Sequence, residues 1–341
     1  MSFRITRRGF GATLLAAPLV GPLAAPAVAQ GRTAASLRLD WALSGYQIPF
    51  YWGVEKGFFA EEGIELDVRD GSGSAKAVNL VQAKEDTFGM ADCMVTANSV
   101  ARGVKAKSIF VIVQNGGSAI VSWAEKPMRT PQEMIGRSLA AAADQKTTLD
   151  LLLSANGIRP DQVTLRIVAV AARNTVFYQG QVEGIVSTVI GSPMDMVVAA
   201  REGKGKPIHI MPFADFGVKS MSQGLLVHDD TIAQNPDLVR RFTRAASRSV
   251  ADCVPAANHD AATDVAMRRS RAPANRRDSV KLQWELTVPR LYTAATEGKP
   301  LGFTTDGDWE NCLNLLVQSG AITANQKVPV NTIYTNAFIP A

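Results

Sequence analysis

Residues Gly53–Val68 read GVEKGFFAEEGIELDV. Phe50, Val54 and Phe58 recur at four-residue steps, the spacing of one face of a helix. Pro49 suits the first turn of that helix. Gly63 can supply the left-handed residue that ends it. Ile64, Leu66 and Val68 then alternate with Glu65 and Asp67, the period of a half-buried strand. The stretch therefore reads as helix, glycine stop, strand. Its three closely spaced glutamates, Glu61, Glu62 and Glu65, do not form a catalytic pair. Glu61 and Glu62 are adjacent, so a helix splays them by about a hundred degrees. Glu65 lies in the alternating strand, and a solvated edge is the expectation for all three.

The same alternation spreads outward. Upstream, Leu37–Trp41 reads as a strand and 42–47 as a loop. Downstream come a Gly-Ser loop, a helix over Lys76–Ala83 and a short strand from Thr87 that ends at Asp92. Another helix closes over Asn98–Gly103. Ser108–Gln114 is a continuous apolar run, as expected of a strand covered on both faces. A second unit begins near Trp123. It has strands after Gly136, over Val163–Val170 and over Gly184–Thr188, with helices over Thr147–Gly157 and Asn174–Gly180. Gly224–Val227 reads as a strand returning to the first unit, followed by a long helix from Pro236. Arg268–Arg277 reads as a solvated helix end and loop. Alternating strands and helices predict an α/β protein with mainly parallel sheets.

The chain of 341 residues opens with Arg7-Arg8 before an uncharged run broken by Pro18, Pro22 and Pro26, and closing in Ala27-Val28-Ala29. Prolines oppose a membrane-spanning helix, and the small residues suit a cleavage site. Residues 1–29 are expected to be a twin-arginine-type export signal carried by Arg7 and Arg8, cut near Ala29. Losing Arg4, Arg7 and Arg8 with it lowers the formal net charge from +5 to +2. A balance so mild, with no basic block, argues against nucleic acid as a partner. Three widely spaced cysteines, Cys93, Cys253 and Cys312, form neither a disulfide framework nor a zinc pattern, and are expected as small buried hydrophobes.

Catalytic constellations are missing: no H-E-x-x-H, C-x-x-C or G-x-S-x-G occurs. His209, His228 and His259 are scattered. No cofactor, metal site or catalytic residue is expected. Two loops are more informative. Gly71-Ser72-Gly73-Ser74 and Asp144-Gln145-Lys146-Thr147-Thr148 each precede a helix and follow a strand. Free N–H groups and hydroxyls at such a place can hold a polar ligand atom, or simply cap the helix. Two of them, one per unit, point to a ligand at the carboxyl ends of the strands.

The leader followed by LRLDWALSGYQIPFYWGVEKGFFAEEGIELDV resembles the periplasmic solute-binding proteins of ABC importers, in particular the NMT1/THI5-like group with sulfonate-, taurine- and pyrimidine-binding members. Gly57–Leu66, PQEMIGRSLA, FYQGQVEGIV (Phe177–Val186) and the terminal NTIYTNAFIP carry the likeness over nearly all of the chain after the leader. Glu183 and Gly184 depart from the usual Asp and Ala. The resemblance implies a two-lobed periplasmic-binding-protein fold of type II. Lobe one would comprise 30–122 and 225–341, and lobe two 123–224, with a hinge motion between them. It also implies an exported monomer that takes a small-molecule ligand (a pyrimidine, sulfonate or aromatic acid) to an inner-membrane ABC permease and its cytoplasmic ATPase. Ligand contacts would come from Trp41, Ser44, Tyr46 and Gln47 after the first strand, and from Ser72, Gly73 and Ser74. Asp92, Gln114 and Asn115 would add contacts at strand ends. Thr147, Thr148, Ser187 and Thr188 would face them from the second lobe. Trp41 or Tyr46 would stack on a flat ligand or form core wall. Asp92 would meet a ligand cation or amide, or cap the next helix. Arg173 is the one tempting partner for an anion. Without a CCCFC motif, the pyrimidine synthases of this fold are disfavoured. The alternatives are an enzyme on the same fold and a ligand-sensing subunit of a receptor.

Overall fold

The computed structural model describes residues 31–341; the expected export signal with Arg7 and Arg8 lies outside them. β1 (Thr33–Arg38) leads into α1 (Ile48–Glu55), α2 (Phe58–Glu61), β2 (Ile64–Arg69), α3 (Ser74–Gln82), β3 (Phe88–Asp92), α4 (Cys93–Ala101) and β4 (Ala106–Val111). The chain crosses to β5 (Ser118–Trp123), β6 (Ser138–Ala141), α5 (Lys146–Ala155), β7 (Thr164–Ile167), α6 (Val170–Tyr178), β8 (Gly184–Thr188), α7 (Pro193–Arg201) and β9 (Ile208–Pro212). It crosses back to β10 (Gln223–His228) and continues through α8 (Asp229–Gln234), α9 (Pro236–Cys253), α10 (Ala256–Ser270), α11 (Arg277–Thr287) and α12 (Asp306–Gln318).

Two five-stranded sheets result, ordered β2-β1-β3-β10-β4 and β7-β6-β8-β5-β9. β1 runs parallel to β2 and β3, and β6 to β7 and β8. One strand in each sheet runs against its neighbours: β10 between β3 and β4, and β5 between β8 and β9. In both cases it is the first strand after a crossing. The two lobes thus share one topology, although no period repeats in the sequence. This is the expected mainly parallel α/β architecture with two lobes. The crossing comes earlier than the boundary at 123, because β5 already pairs wholly within the second sheet.

The stretch from Gly53 keeps its helix–glycine–strand order, with one refinement. Gly57 adopts φ +78°, which favours glycine and splits the helix into α1 and α2. The break turns Phe58 and Phe59 inward. Phe59 meets Phe242 of α9 with ring centroids 5.7 Å apart, and Phe242 stacks on Phe88 of β3 at 3.6 Å. The glutamates are not all solvated. Glu62 accepts from Arg244 at 2.6 Å and Glu61 pairs with Arg248, both arginines on α9. Glu65 is exposed. The basic stretch is likewise used internally: Arg268 and Arg269 bind Glu55, and Arg277 binds Asp260 and Asp264.

Two large cores result. One joins the first sheet to α1, α9, α10 and α11. The other joins α4 and α12 to α5 and the second sheet. Cys93, Cys253 and Cys312 are buried and free. Among the described residues no helix is long and apolar enough to cross a membrane.

Candidate functional site

β1 ends at Arg38, so Asp40 and Trp41 fall in the loop beyond it. Two loops are tied together there. Gly71 N–H donates to Trp41 O (3.2 Å) and Gly73 N–H to Asp40 O (2.7 Å). A Cβ on Gly71 would lie 1.8 Å from Leu39 O, so only glycine permits this approach. The next turn, Gly45–Gln47, folds back on Asp40. Gln47 Nε2 donates to Asp40 Oδ1 at 2.7 Å, and Tyr46 Oη to Oδ2 at 2.9 Å. Burial raises the Asp40 pKa above the usual carboxylate range, and these two bonds offset it only in part. Burial, and then the neighbouring Asp40 charge, push the Tyr46 hydroxyl well above its ordinary value, so it stays a donor.

Gly73, at φ +136°, starts α3, and Ser74 Oγ accepts from Asp92 N–H at 3.1 Å. Asp92 caps α4: its Oδ1 accepts from Met94 N–H (2.8 Å) and Val95 N–H (3.4 Å). Ser222 Oγ donates to its other oxygen at 3.3 Å. Capping and lining the cleft are therefore not alternatives for Asp92; it does both.

The second lobe contributes the start of α5 and a guanidinium. Thr148 Oγ1 donates to Gln145 O at 2.9 Å and accepts from Ser118 Oγ at 3.3 Å. Arg173, on α6, is only 5% exposed. Its Nη1 donates to Gln145 Oε1 at 2.8 Å, and its Nη2 to Ser187 Oγ (3.2 Å) and Ser192 Oγ (3.0 Å).

Between these walls lies a cavity of about 350 Å³. Trp41, Ser44, Tyr46, Gly73, Ser74 and Asp92 line it from the first lobe, and Thr147, Thr148, Arg173 and Thr188 from the second. Gln47 and Ser187 stand one layer behind, holding Asp40 and Arg173. Ser72, Gln114 and Asn115 do not line it. Ser72 and Asn115 are exposed. β4 stops at Val111, so Gln114 belongs to the crossing and turns into the protein, donating to Phe303 O (2.9 Å) and accepting from Thr296 Oγ1 (2.6 Å). Sequence reasoning missed Asp40, Ser118, Ser192, Gln223 and Leu316, which also line the cavity. Asp40 was findable as the residue before Trp41. Leu316, on the distant α12, carried no local signal.

Residues 44–258 match the family described as "NMT1/THI5 like". The chain is similar to "Riboflavin-binding protein RibY" of Chloroflexus aurantiacus, 26% identical over 335 residues, covering 95% of this chain and 91% of the relative. It is also similar, at 20% over 219 residues, to 4-amino-5-hydroxymethyl-2-methylpyrimidine phosphate synthase of Legionella pneumophila, covering 63% of this chain and 68% of the synthase. Among solved structures, the ligand-binding component of an ABC-type import system from Staphylococcus aureus, with zinc bound, superposes with a TM-score of 0.66 at 10% identity, covering 90% of this chain and 98% of that one. That likeness is one of fold. The family match spans more than half of the chain and reaches into both lobes, so the chain belongs to the NMT1/THI5-like family, on the fold of periplasmic binding proteins.

Proposed function

We propose that the protein is exported, captures a small organic solute between its lobes and delivers it to an ABC permease driven by a cytoplasmic ATPase. The observation that carries this reading is one cavity walled by the strand and helix ends of both lobes, where ligands of α/β sheets gather. Trp41, Ser44, Tyr46, Ser74 and Asp92 would contact the solute from one side, and Thr147, Thr148, Arg173 and Thr188 from the other. Gln47 and Ser187 would act through Asp40 and Arg173. The lining has no histidine, cysteine or lysine among the described residues, which favours binding over turnover. The likeness to a riboflavin-binding protein over most of both chains puts flat heterocycles first among the solutes to try.

Thermal unfolding with riboflavin, a pyrimidine, an aromatic acid and an alkanesulfonate tests the reading. A bound solute raises Tm in proportion to the logarithm of its free concentration over Kd. Trp41→Ala and Thr147→Ala should each weaken binding with the fold intact. Unchanged affinity in both removes the cleft assignment, and chemical conversion of the solute replaces transport with catalysis. Terminal sequencing of exported protein should find Gln30 first; an intact Met1 refutes the cleaved leader.

A further inference from the structure

The cavity is not equally polar on its two sides. The first lobe offers carboxylates, Asp40 and Asp92, which when ionised can only accept hydrogen bonds. The second lobe offers the Arg173 guanidinium and the first turn of α5, with the Thr147 and Thr148 hydroxyls beside it. A guanidinium only donates, and a helix's first turn presents backbone N–H groups. Among the described lining residues Arg173 is the sole cation, set against two acids.

Asp40 cannot swing away from this arrangement. It is 6% exposed, and Tyr46 and Gln47 hold one oxygen each. Gln223 and the Asp40 backbone N–H also bond to this carboxylate, so a solute N–H reaching it would share an oxygen that already accepts. Tyr46 and Gln47 are themselves fixed, since Gln47 Oε1 accepts from Ser44 N–H at 2.8 Å and Gly45 N–H is held by Gln283 Oε1 at 2.8 Å. The acceptor wall is therefore preorganised, and an anion brought against it meets like charge in a poorly solvated place.

We propose that the cleft selects solutes by a donor edge and an acceptor edge: amine, amide or imide N–H groups against Asp40 and Asp92, and carbonyl or carboxylate oxygens toward Arg173 and the start of α5. This rests on the solute-binding reading and narrows it. Anions without N–H groups, simple sulfonates and nitrate among them, are poor ligands of this cleft. Asp40 is the specificity-determining residue, with Tyr46 and Gln47 as its positioning residues.

The test is calorimetric titration of protein stripped of ligand by unfolding and refolding. Its probes are matched pairs: uracil and its N,N-dimethyl derivative, benzamide and N,N-dimethylbenzamide, aminobenzoate and dimethylaminobenzoate. Propanesulfonate and nitrate serve as anions without N–H. The N–H member of a binding pair should bind about 10- to 100-fold more tightly than its methylated partner, the worth of a charge-assisted hydrogen bond. Asp40→Asn should shrink that ratio, and so should Asp92→Asn, whose amide oxygen can still cap α4. Saturable binding of propanesulfonate, or equal affinity within every binding pair, overturns the donor-edge proposal and leaves solute capture standing. Binding of no probe removes the solute-binding reading and this inference with it.

Discussion

Asp40 and Asp86 are both buried carboxylates, and the fold treats them in opposite ways. Burial alone would raise Asp86, but Arg38 at 2.7 Å, Ser36, and Arg69 at 2.9 Å outweigh it and hold its pKa below the ordinary range. The folded state therefore binds that proton less readily than the unfolded chain does. Asp86 contributes stability above the ordinary carboxylate pKa, and the contribution is lost as pH falls through the depressed folded value. Asp40 has the reverse sign. Its raised pKa means that its contribution is full below the ordinary carboxylate pKa and lost as pH rises through the folded value. Asp86→Asn should thus cost about 1–3 kcal/mol at neutral pH, with the deficit shrinking in acid. Asp40→Asn should be no less stable than the parent at neutral pH while binding solute more weakly, a trade of stability for function. Urea melts across pH decide both, and a shared sign for the two variants would contradict the argument.

Among the elements, α11 ties the two walls of the cleft together. Buried Gln283 accepts from Gly45 N–H at 2.8 Å, beside the first-lobe lining, and donates to Gly191 O at 3.0 Å, in the second-lobe lining. One turn earlier Ser279 donates to Asp195 of α7, and Arg276, just before the helix, donates to Leu43 O at 3.0 Å. Gln283→Leu leaves a buried donor and a buried acceptor unmet, so a loss of about 1–3 kcal/mol per group is expected. Solute affinity should fall with it, because both linings lose their brace. Stability measured by denaturant and affinity by titration should move together; an intact affinity would separate α11 from the site. None of this was legible in the sequence. Strands β2 and β8 were, because their alternation or apolar run sits between glycine signals. The loops beyond β1 and β2 were legible because they follow strand ends. By contrast, α10 and α11 lay behind a run of arginines that reads as solvent-exposed until Glu55, Asp260 and Asp264 are brought to it by the fold. Gln114 and Asn115 misled for a related reason. The apolar run of β4 continues into the crossing, and hydrophobicity alone does not mark where pairing stops.

For the molecule as a whole, two crossings join the lobes, one after β4 and one after β9. Each contains a glycine at positive φ, Gly117 at +38° and Gly217 at +92°. Alanine at either should cost about 1–2 kcal/mol through the left-handed backbone. If the lobes close on the proposed solute about these glycines, Gly117→Ala and Gly217→Ala should also slow that closure, followed by tryptophan fluorescence. Unaltered closure kinetics in both would place the pivot elsewhere. The three free thiols give a second view of the same architecture. Cys253 lies in the core of the first sheet, whereas Cys93 and Cys312 lie in the core shared by α4, α12 and the second sheet. Burial pushes all three pKa values up, so the folded protein should be inert to alkylating reagents. Mass-resolved labelling under mild denaturant then becomes a pair of clocks, one in each core. Clocks that run together mean that the two cores melt as one body. Clocks that part identify the core that yields first, with no probe added to the native chain.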